Sequence, residues 1–360
     1  MITKLGTVIT EYSVRNKSKE NIPVYSVTNE QGFCTGYFSK EVASKDRTTY
    51  KIVPQGYFAY NPSRINVGSV DWQDCEERVI VSPLYVVFGV DKKLDQQYLL
   101  HYLKSDIART YINALATGSV RDNLKFSVLQ ELPINLRPID EQRKLASVLD
   151  YVDSVIGLRN EELSTLDTLV KSRFVELFGD PVSNPKDWNI EPLGKRCGII
   201  TGNTPPRSEP ENYGKYIEWI KSDNINTPFT FITKAQECLS EAGFEKCRFV
   251  EAGSILMTCI AGSIDCIGNV AVTDRRVAFN QQINAIVPEQ DEVLYLYWLM
   301  QLSKPMIHRT INMALKGILS KSQLSEIVFP FPPITLQEQF VAFVEQTDKS
   351  KLCGKMEVAA

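Results

Sequence analysis

The stretch from residue 139 to residue 179 reads IDEQRKLASVLDYVDSVIGLRNEELSTLDTLVKSRFVELFG. Its apolar residues recur in steps of three and four, with Arg159 and Arg173 at two positions where an apolar residue is expected. The apolar positions are Leu145, Leu149, Val152, Ile156, Leu163, Leu166, Val170 and Leu177. Pro138 precedes the pattern and Gly179 ends it, which is typical of helix termini. The pattern predicts one helix of about 60 Å, serving either as an ordinary core helix or as a rigid spacer between two modules.

The composition is that of a globular protein. The chain has 360 residues, of which 43% are hydrophobic and 23% charged, and this length favours two domains. No apolar run approaches the roughly twenty residues of a membrane span. The amino-terminal segment lacks the basic start and apolar core of a signal peptide. The expected location is therefore the cytoplasm.

The composition argues against a metal site and against non-specific DNA binding through a large excess of positive charge. The eight cysteines form no CxxC pair and there are only two histidines, so we expect scattered thiols and no metal site. The net charge of −3 argues against a sequence-indifferent polycation. It leaves room for a local DNA-binding patch, because local charge decides such contacts.

The segments before and after the long helix resemble each other. Residues 1–94 contain β-rich runs broken by turns, residues 94–116 have a helical pattern, and the loop TGSVRDNLKFSVLQ and a short strand LPINL follow. The same order returns after residue 181, with the second helical pattern at residues 291–314. The helix beginnings PIDEQ (138–142) and PITLQEQ (333–339) also match. The sequence thus predicts a two-fold repeat, with an offset of about 195 to 200 residues throughout.

The duplicated order and the long helix resemble the specificity (S) subunit of type I restriction–modification systems over essentially the whole chain. The segments that carry the resemblance are GYF (56–58), RINVG (64–68), GNTPP (202–206), WIKSD (219–223), GSIL (253–256), NQQ (280–282) and FPPITLQEQF (331–340). The resemblance implies a mixed α+β fold with two target-recognition domains, each followed by a long helix. The two helices would pair as an antiparallel coiled coil with pseudo-two-fold symmetry.

The resemblance also implies a division of the chain. Residues 1–138 would form the first target-recognition domain, 139–180 the first spacer helix, 181–333 the second domain and 334–360 a short second spacer helix. The apolar seam of the second helix covers only residues 336–344. We therefore expect the distal residues of the first helix, from Leu163 to Leu177, to be covered by methylation subunits or by a second copy of this chain.

The implied function is DNA sequence recognition without catalysis. Each repeat would read one half of a bipartite target and direct adenine methylation and cleavage by partner subunits. The partners would be double-stranded DNA, two methylation (M) subunits and restriction (R) subunits, with self-association through the long helix as a further option. S-adenosylmethionine, ATP and Mg would bind those subunits, and this chain would hold no cofactor. Two alternatives are a detached specificity portion of a fused methyltransferase–nuclease and a symmetric scaffold unrelated to DNA.

The catalytic motifs of such enzymes do not occur in the chain. An adenine methyltransferase would need an Asp/Asn-Pro-Pro-aromatic motif, and the segments at residues 61–64 and 180–183 both lack it. There is no GxxxxGK[ST] phosphate loop, no HExxH and no GxSxG. These absences favour a subunit that reads DNA.

Candidate DNA-binding residues lie in loops, and they are polar or cationic. Arg64 and Asn66 suit guanine and adenine edges respectively. Loops after the predicted helices combine Gly with Ser, Arg or Lys, which suits phosphate contacts. The full set is Arg64, Asn66, Ser119, Arg121, Thr204, Arg207, Lys221, Ser222, Asn280, Gln281, Gln282, Lys316, Ser320 and Lys321. A solvated loop side chain is the plainer interpretation of each one, and Tyr57, Tyr60, Trp219 and Phe279 are expected in the core.

Overall fold

The computed structural model describes residues 1–18, 20–36, 47–116, 123–311 and 317–359. The chain divides into two compact units, Met1–Gly157 and Leu158–Ala360. Both units contain helices and short, mostly antiparallel strands, which confirms the mixed α+β class. Among the described residues, no helix is long and apolar enough to cross a membrane.

The first unit consists of short strands that are followed by helices. The strands are Ile2–Lys4 (β1), Ile9–Glu11 (β2), Ser26–Thr28 (β3), Gly32–Cys34 (β4), Lys51–Pro54 (β5), Phe58–Tyr60 (β6), Val70–Trp72 (β7), Arg78–Val81 (β8), Val86–Val90 (β9) and Pro133–Asn135 (β10). The helices are Gln96–Lys104 (α1), Asp106–Ala116 (α2), Phe126–Leu129 (α3) and Ile139–Phe178 (α4), the last of which continues into the second unit.

The second unit repeats this order. Its strands are Ile190–Pro192 (β11), Cys197–Thr201 (β12), Tyr213–Gly214 (β13), Ile217–Ile220 (β14), Cys238–Leu239 (β15), Phe249–Val250 (β16), Ile255–Thr258 (β17), Ile260–Ala261 (β18), Val270–Val272 (β19), Val277–Phe279 (β20), Ile283–Pro288 (β21), Gly317–Ile318 (β22) and Val328–Pro330 (β23). Its helices are Glu241–Glu245 (α5), Val293–Leu302 (α6), Lys304–His308 (α7), Lys321–Glu326 (α8) and Ile334–Ala359 (α9).

The same four-stranded antiparallel sheet stands at the centre of each unit. Its order is β2-β9-β6-β7 in the first unit and β12-β21-β17-β19 in the second. The first and last strands of each globule also pair alike, β1 with β10 and β11 with β23. The sequence repeat is therefore a structural repeat. The predicted constant offset is wrong at the first strands, where Ile2 corresponds to Ile190, a separation of 188 residues. The separation is still 188 residues between Ile9 and Cys197 but 197 between Phe58 and Ile255, so the extra residues of the second copy lie between β12 and β17.

A buried glutamine ties each globule to the helix that follows it. The side-chain oxygen of Gln142 accepts from Asp95 N at 2.9 Å, and its amide donates to Lys93 O and Arg137 O, both at 2.7 Å. In the second repeat Gln337 accepts from Glu292 N at 3.0 Å and donates to Asp291 Oδ1 at 2.7 Å. Both glutamines are fully buried, so each fixes how its helix leaves the globule.

Each of the two predicted helical segments, 94–116 and 291–314, is broken at a serine. Ser105 separates α1 from α2, and its hydroxyl accepts from Ala108 N at 3.3 Å as the cap of the second helix. Ser303 occupies the corresponding position between α6 and α7, where Pro305 lies in the first turn of α7. The prediction of one helix at 94–116 and another at 291–314 is therefore wrong. The serine cap ends the first, and a proline without an N–H interrupts the second. The short helices α3 and α8 lie where loops were predicted.

The long helix begins and ends almost as predicted, and Gly179 follows it at a φ of +79°. Its distal part packs on α9 within the second unit. Phe174 and Phe178 are buried against Phe340, with ring centroids 5.4 and 5.5 Å apart, and Arg173 lies 5.9 Å from the Phe343 ring. Later residues of α9 thus contact earlier residues of α4, which is the antiparallel pairing expected of this fold.

The predicted seam is corrected in two respects. Val170, Phe174 and Phe178 form the buried stripe, in steps of four, and Leu177 is only partly buried. The expectation that the distal residues have no partner within the chain is wrong from Val170 onward, because Phe340 and Phe343 of α9 pack against this part of the helix. Most of the exposed apolar residues of the helix lie in its proximal half: Leu145, Val148, Leu149, Tyr151, Val152, Val155, Ile156 and Leu158. In the distal half, Leu169 and Val175 are also exposed.

Candidate nucleic-acid interface

Two groups of predicted DNA-binding residues meet at one edge of a sheet in the second unit. Strands β14 and β20 are parallel, with Ile220 opposite Phe279. Lys221 and Ser222 follow the first of these strands, and residues 280–282 follow the second. Asn280 N donates to Ile220 O at 3.1 Å, which fixes the two strand ends together. The structure therefore brings side chains that are about sixty residues apart in sequence into one surface.

Two cations of this surface share one carboxylate. Arg207 Nη2 donates to Glu237 Oε2 at 3.0 Å, Arg207 Nη1 donates to Oε1, and Lys221 Nζ also donates to Oε2. Glu237 reaches this position because it directly precedes β15, which is antiparallel to β14. Its carbonyl accepts from Trp219 N at 3.1 Å. Sequence reasoning missed Glu237, since one acidic residue before a short strand gives no signal of its own.

Aromatic rings hold the two cations in place. The Arg207 guanidinium lies 4.5 Å from the Tyr213 ring centroid and 5.3 Å from that of Trp219, and Lys221 Nζ lies 5.2 Å from Trp219. Trp219 is buried, as predicted for a core residue, and Tyr60 and Phe279 are also fully buried. The hydrogen bond from Arg207 lowers the pKa of Glu237, and the same bond raises the pKa of Arg207. The cluster is therefore ionised at neutral pH, with a surplus of one positive charge.

The loop after β20 is ordered by its own amides. Asn280 is buried, accepts from Gln282 N at 3.0 Å and donates to Gln282 Oε1 at 3.3 Å. Gln281 is exposed, and its side-chain oxygen accepts from the Thr204 hydroxyl. Within the described residues, the Gln281 amide nitrogen has no hydrogen-bond partner and is available as a donor. The hydroxyl of Ser222 is buried and has no hydrogen-bond partner among the described residues.

The second predicted loop joins the first through backbone pairing. Gln282 O accepts from Cys259 N at 2.7 Å, and the next strand, β18, pairs with β22. Ser320, two residues after β22, caps α8 by accepting from Gln323 N at 3.2 Å, so its hydroxyl is already engaged. Lys321 is exposed and has no ion pair with any residue that the structure describes. Lys316 lies outside the described residues.

In the first unit, Arg64 lies on a tight turn. It directly precedes the 3-10 helix Ile65–Val67, which Gly68 closes at a φ of +94°. Arg64 is exposed and Asn66 is half-buried. Arg64 makes no ion pair within the described part of the chain, in contrast to Arg207. Ser119 and Arg121, the other predicted residues of this unit, fall outside the described residues.

A cavity of about 890 Å³ lies beside Arg64 in the first unit. Its walls are Glu11, Asn61, Pro62, Ser63, Leu84, Val86, Asn123, Leu124, Lys125, Phe126 and Ser127. Leu124 N donates to Pro62 O at 2.9 Å, as Leu319 N donates to Cys259 O at 2.8 Å in the second unit. The cavity thus occupies the repeat-equivalent position of the loop region around β18 and β22, and no sequence pattern indicated it.

A protein-family model matches most of the length of the chain. The model described as "Type I restriction modification DNA specificity domain" matches residues 4–168 and again residues 185–354. The chain belongs to this family. It is therefore a DNA-specificity protein of the type I restriction–modification class, and neither the fused-enzyme alternative nor a scaffold unrelated to DNA is favoured.

Curated members of the specificity family are similar at low identity. The putative type I restriction enzyme MjaX specificity subunit of Methanocaldococcus jannaschii is 22% identical over 336 residues, covering 86% of this chain and 76% of the relative. The type I restriction enzyme HindI specificity subunit of Haemophilus influenzae is 30% identical over 178 residues, covering 43% of this chain and 37% of that one. The duplicated match is thus to specificity proteins.

Solved structures of the specificity family share the fold. The S subunit of a type I restriction–modification system from M. genitalium superposes with a TM-score of 0.56 at 16% identity, covering 100% of this chain and 92% of that chain. A chain from a study of complex assembly and conformational transition of the type I system gives a TM-score of 0.53 at 19% identity, with the same coverage. At these identities the likeness concerns the fold alone.

Gly202 is a sensitive point of the second-unit surface. A Cβ at this position would overlap Asn280 O and Phe279 O, the backbone from which the 280–282 loop starts. Gly202→Ala is therefore expected to displace that loop, to destabilise the second unit by about 1–3 kcal/mol, and to weaken target binding roughly tenfold. Thermal denaturation and titration with DNA that contains the target sequence measure the two effects.

The matched control is Gly262→Ala on the neighbouring loop. No atom lies within 4 Å of a Cβ built at Gly262, so alanine fits there without displacement. This variant should melt and bind like the parent protein. A Gly202→Ala protein that binds its target normally would show that the 280–282 loop is not part of the interface.

Proposed function

We propose that the chain recognises one bipartite DNA sequence, with each repeat reading one half. The recognition domains would be residues 1–138 and 181–333, and residues 139–180 and 334–360 would form the spacer helices. The observation that carries the proposal is the sheet edge in the second unit. There, donors and acceptors from three separate chain segments converge on one surface, in a protein that carries the specificity domain twice.

The chemistry of this edge suits the major groove of DNA. Arginine pairs with the O6 and N7 of guanine, and glutamine pairs with the N6 and N7 of adenine. Arg207 and Gln281 are exposed enough to make such contacts, whereas Asn280 is buried and serves to order the loop. We assign base reading in the second repeat to Arg207 and Gln281, with Thr204 positioning the glutamine.

Phosphate contacts would come from cations without an internal partner. Lys321 in the second repeat meets this description, and Arg64 in the first repeat is equally unpaired among the described residues. Arg64 could instead read guanine, and Asn66 beside it adenine. Ser119, Arg121, Lys316 and Ser320 remain in the proposed interface on the sequence argument that Gly with Ser, Arg or Lys suits phosphate approach.

Catalysis would belong to partner subunits. Methylation subunits would supply the adenine methyltransferase with its S-adenosylmethionine, and restriction subunits would supply cleavage with ATP and Mg. The exposed apolar residues in the proximal half of α4 provide surface for docking a partner or a second copy of this chain. The cytoplasm, where the host DNA lies in a bacterial or archaeal cell, is the compartment that this function requires.

Adenine methylation mapping of host DNA tests the proposal. In cells with the gene, one bipartite sequence should be methylated throughout the genome, and in a deletion strain that methylation should disappear. Expression of the gene from a plasmid should restore it. Methylation that persists at every site in the deletion strain would refute the proposed function.

A further inference from the structure

The cation cluster in the second unit includes a carboxylate, although DNA binding itself requires only positive charge. Glu237 accepts from both nitrogens of the Arg207 fork and from Lys221, so one carboxylate engages two of the predicted DNA-binding cations. Its side chain is 26% exposed, and those of Arg207 and Lys221 are 57% and 36% exposed. All three groups therefore lie at the surface, where a DNA phosphate could compete with the carboxylate.

The contacts of Arg207 fix the orientation of its guanidinium in addition to balancing its charge. Its planar guanidinium is held in the plane set by Glu237 and is covered by the rings of Tyr213 and Trp219. A guanidinium held on one side by a carboxylate retains free donors on its other edge, which can still bind a base edge bidentately. A mobile arginine would instead bind mainly to DNA phosphates, since phosphate contacts dominate non-specific affinity.

We propose that Glu237 is a positioning residue that determines specificity: its counter-charge suppresses phosphate binding by Arg207 and Lys221 and aims Arg207 at the bases. This inference rests on the proposed function of the same surface. A repulsive element against the wrong ligand is a general route to specificity. Here the wrong ligand is the phosphate backbone of non-target DNA, which Glu237 repels while it satisfies the two cations internally.

The test is Glu237→Gln in the full chain, assembled with its methylation partner. Glutamine keeps the shape and can still accept from Arg207, but it removes the negative charge. Binding to two duplexes of equal length, one with the mapped target and one without, is measured across a series of salt concentrations. We expect non-target affinity to rise roughly threefold to tenfold and the slope of log K against log salt to steepen by about one. Target affinity should rise less, so the ratio between the two duplexes should fall.

A matched control pair exists in the same unit. Arg276 Nη2 contacts Glu251 at 2.7 Å, and its guanidinium lies 5.4 Å from the Phe249 ring. This pair precedes β20, whereas the candidate surface follows that strand. Glu251→Gln removes the same charge from a similarly stacked arginine and should leave the salt slope and the target ratio unchanged. If both variants steepen the slope equally, overall charge is responsible and the inference is wrong.

A double variant decides whether Arg207 is the released cation. In Arg207→Gln, Glu237→Gln the slope should return towards that of the parent complex, because the freed guanidinium is gone. An unchanged slope and ratio in folded Glu237→Gln would overturn the inference while leaving the proposed function intact. A parent complex that does not distinguish the two duplexes would instead refute the proposed function. Melting temperatures of each variant verify that folding is retained.

Discussion

Exchange of residues 185–330 for the corresponding segment of another family member is expected to change one half of the recognised DNA sequence and to leave the other half unchanged. The segment carries β11 and β23 together, and these pair with Ile190 opposite Pro330, so the exchanged globule keeps its own closing strands. It also carries Arg207, Glu237 and Gln281 as a set. Methylation mapping of cells that express the hybrid measures both halves at once.

The donor segment must preserve the contacts that cross its junctions, among them two between side chains. Tyr295 stacks on Phe174 at 5.6 Å, and Asp291 binds Gln337 at 2.7 Å, so a donor with an aromatic residue and an acid at these positions should fold against the retained helices. A narrower exchange of residues 202–282 keeps these contacts unchanged and should alter the same half of the target. If both halves change together in either hybrid, the repeats do not read independently.

The repeat and the long helix could be predicted because their signals are local. Helix α4 runs from Ile139 to Phe178, within one residue of the predicted end, since Pro138 and Gly179 fix its limits by backbone conformation. Most strands also fall inside the predicted β-rich runs, where branched and aromatic residues favour extended backbone. These features depend on residues close in sequence.

The packing of the long helix could not be predicted from its own pattern. After Val170, a three-four periodicity admits either Arg173 and Leu177 or Phe174 and Phe178 as the buried pair. The rings of Phe340 and Tyr295 pack on Phe174 and Phe178 and so select the second pair. Burying each phenylalanine contributes about 1.5–3 kcal/mol, more than the intrinsic preference of a helix for one register. Tertiary contacts thus moved the stripe by one position.

Residues of the candidate surface were predicted from the sequence, but the ion pairs between them were not. Arg207, Lys221 and Gln281 were found as polar residues in glycine-rich or turn-rich loops, and the fold brings them to one edge. Glu237 belongs to that edge only because β15 runs antiparallel to β14. The ion pairs of Glu237 with both cations therefore could not be predicted without knowledge of the strand pairing.

Insertion of four residues after Gly157 is expected to lengthen the unread spacer of the DNA target by about two base pairs. Four helical residues add about 6 Å and turn the following segment by only about 40°, and base pairs rise about 3.4 Å each. Gly157 is a suitable site, because no atom lies within 4 Å of a Cβ built there and Leu158 beside it is 67% exposed. Both half-sites should be unchanged in the methylation map of the insertion strain.

Two further variants separate helix length from helix stability at the same position. Gly157→Ala strengthens the helix by about 1 kcal/mol without lengthening it, so the spacer should stay the same. Insertion of two residues turns the following segment by about 200°, which should direct the second reader away from the duplex and abolish methylation at every site. A four-residue insertion strain that methylates the original spacer efficiently would show that α4 serves as a docking surface for partner subunits and does not set the distance between the readers.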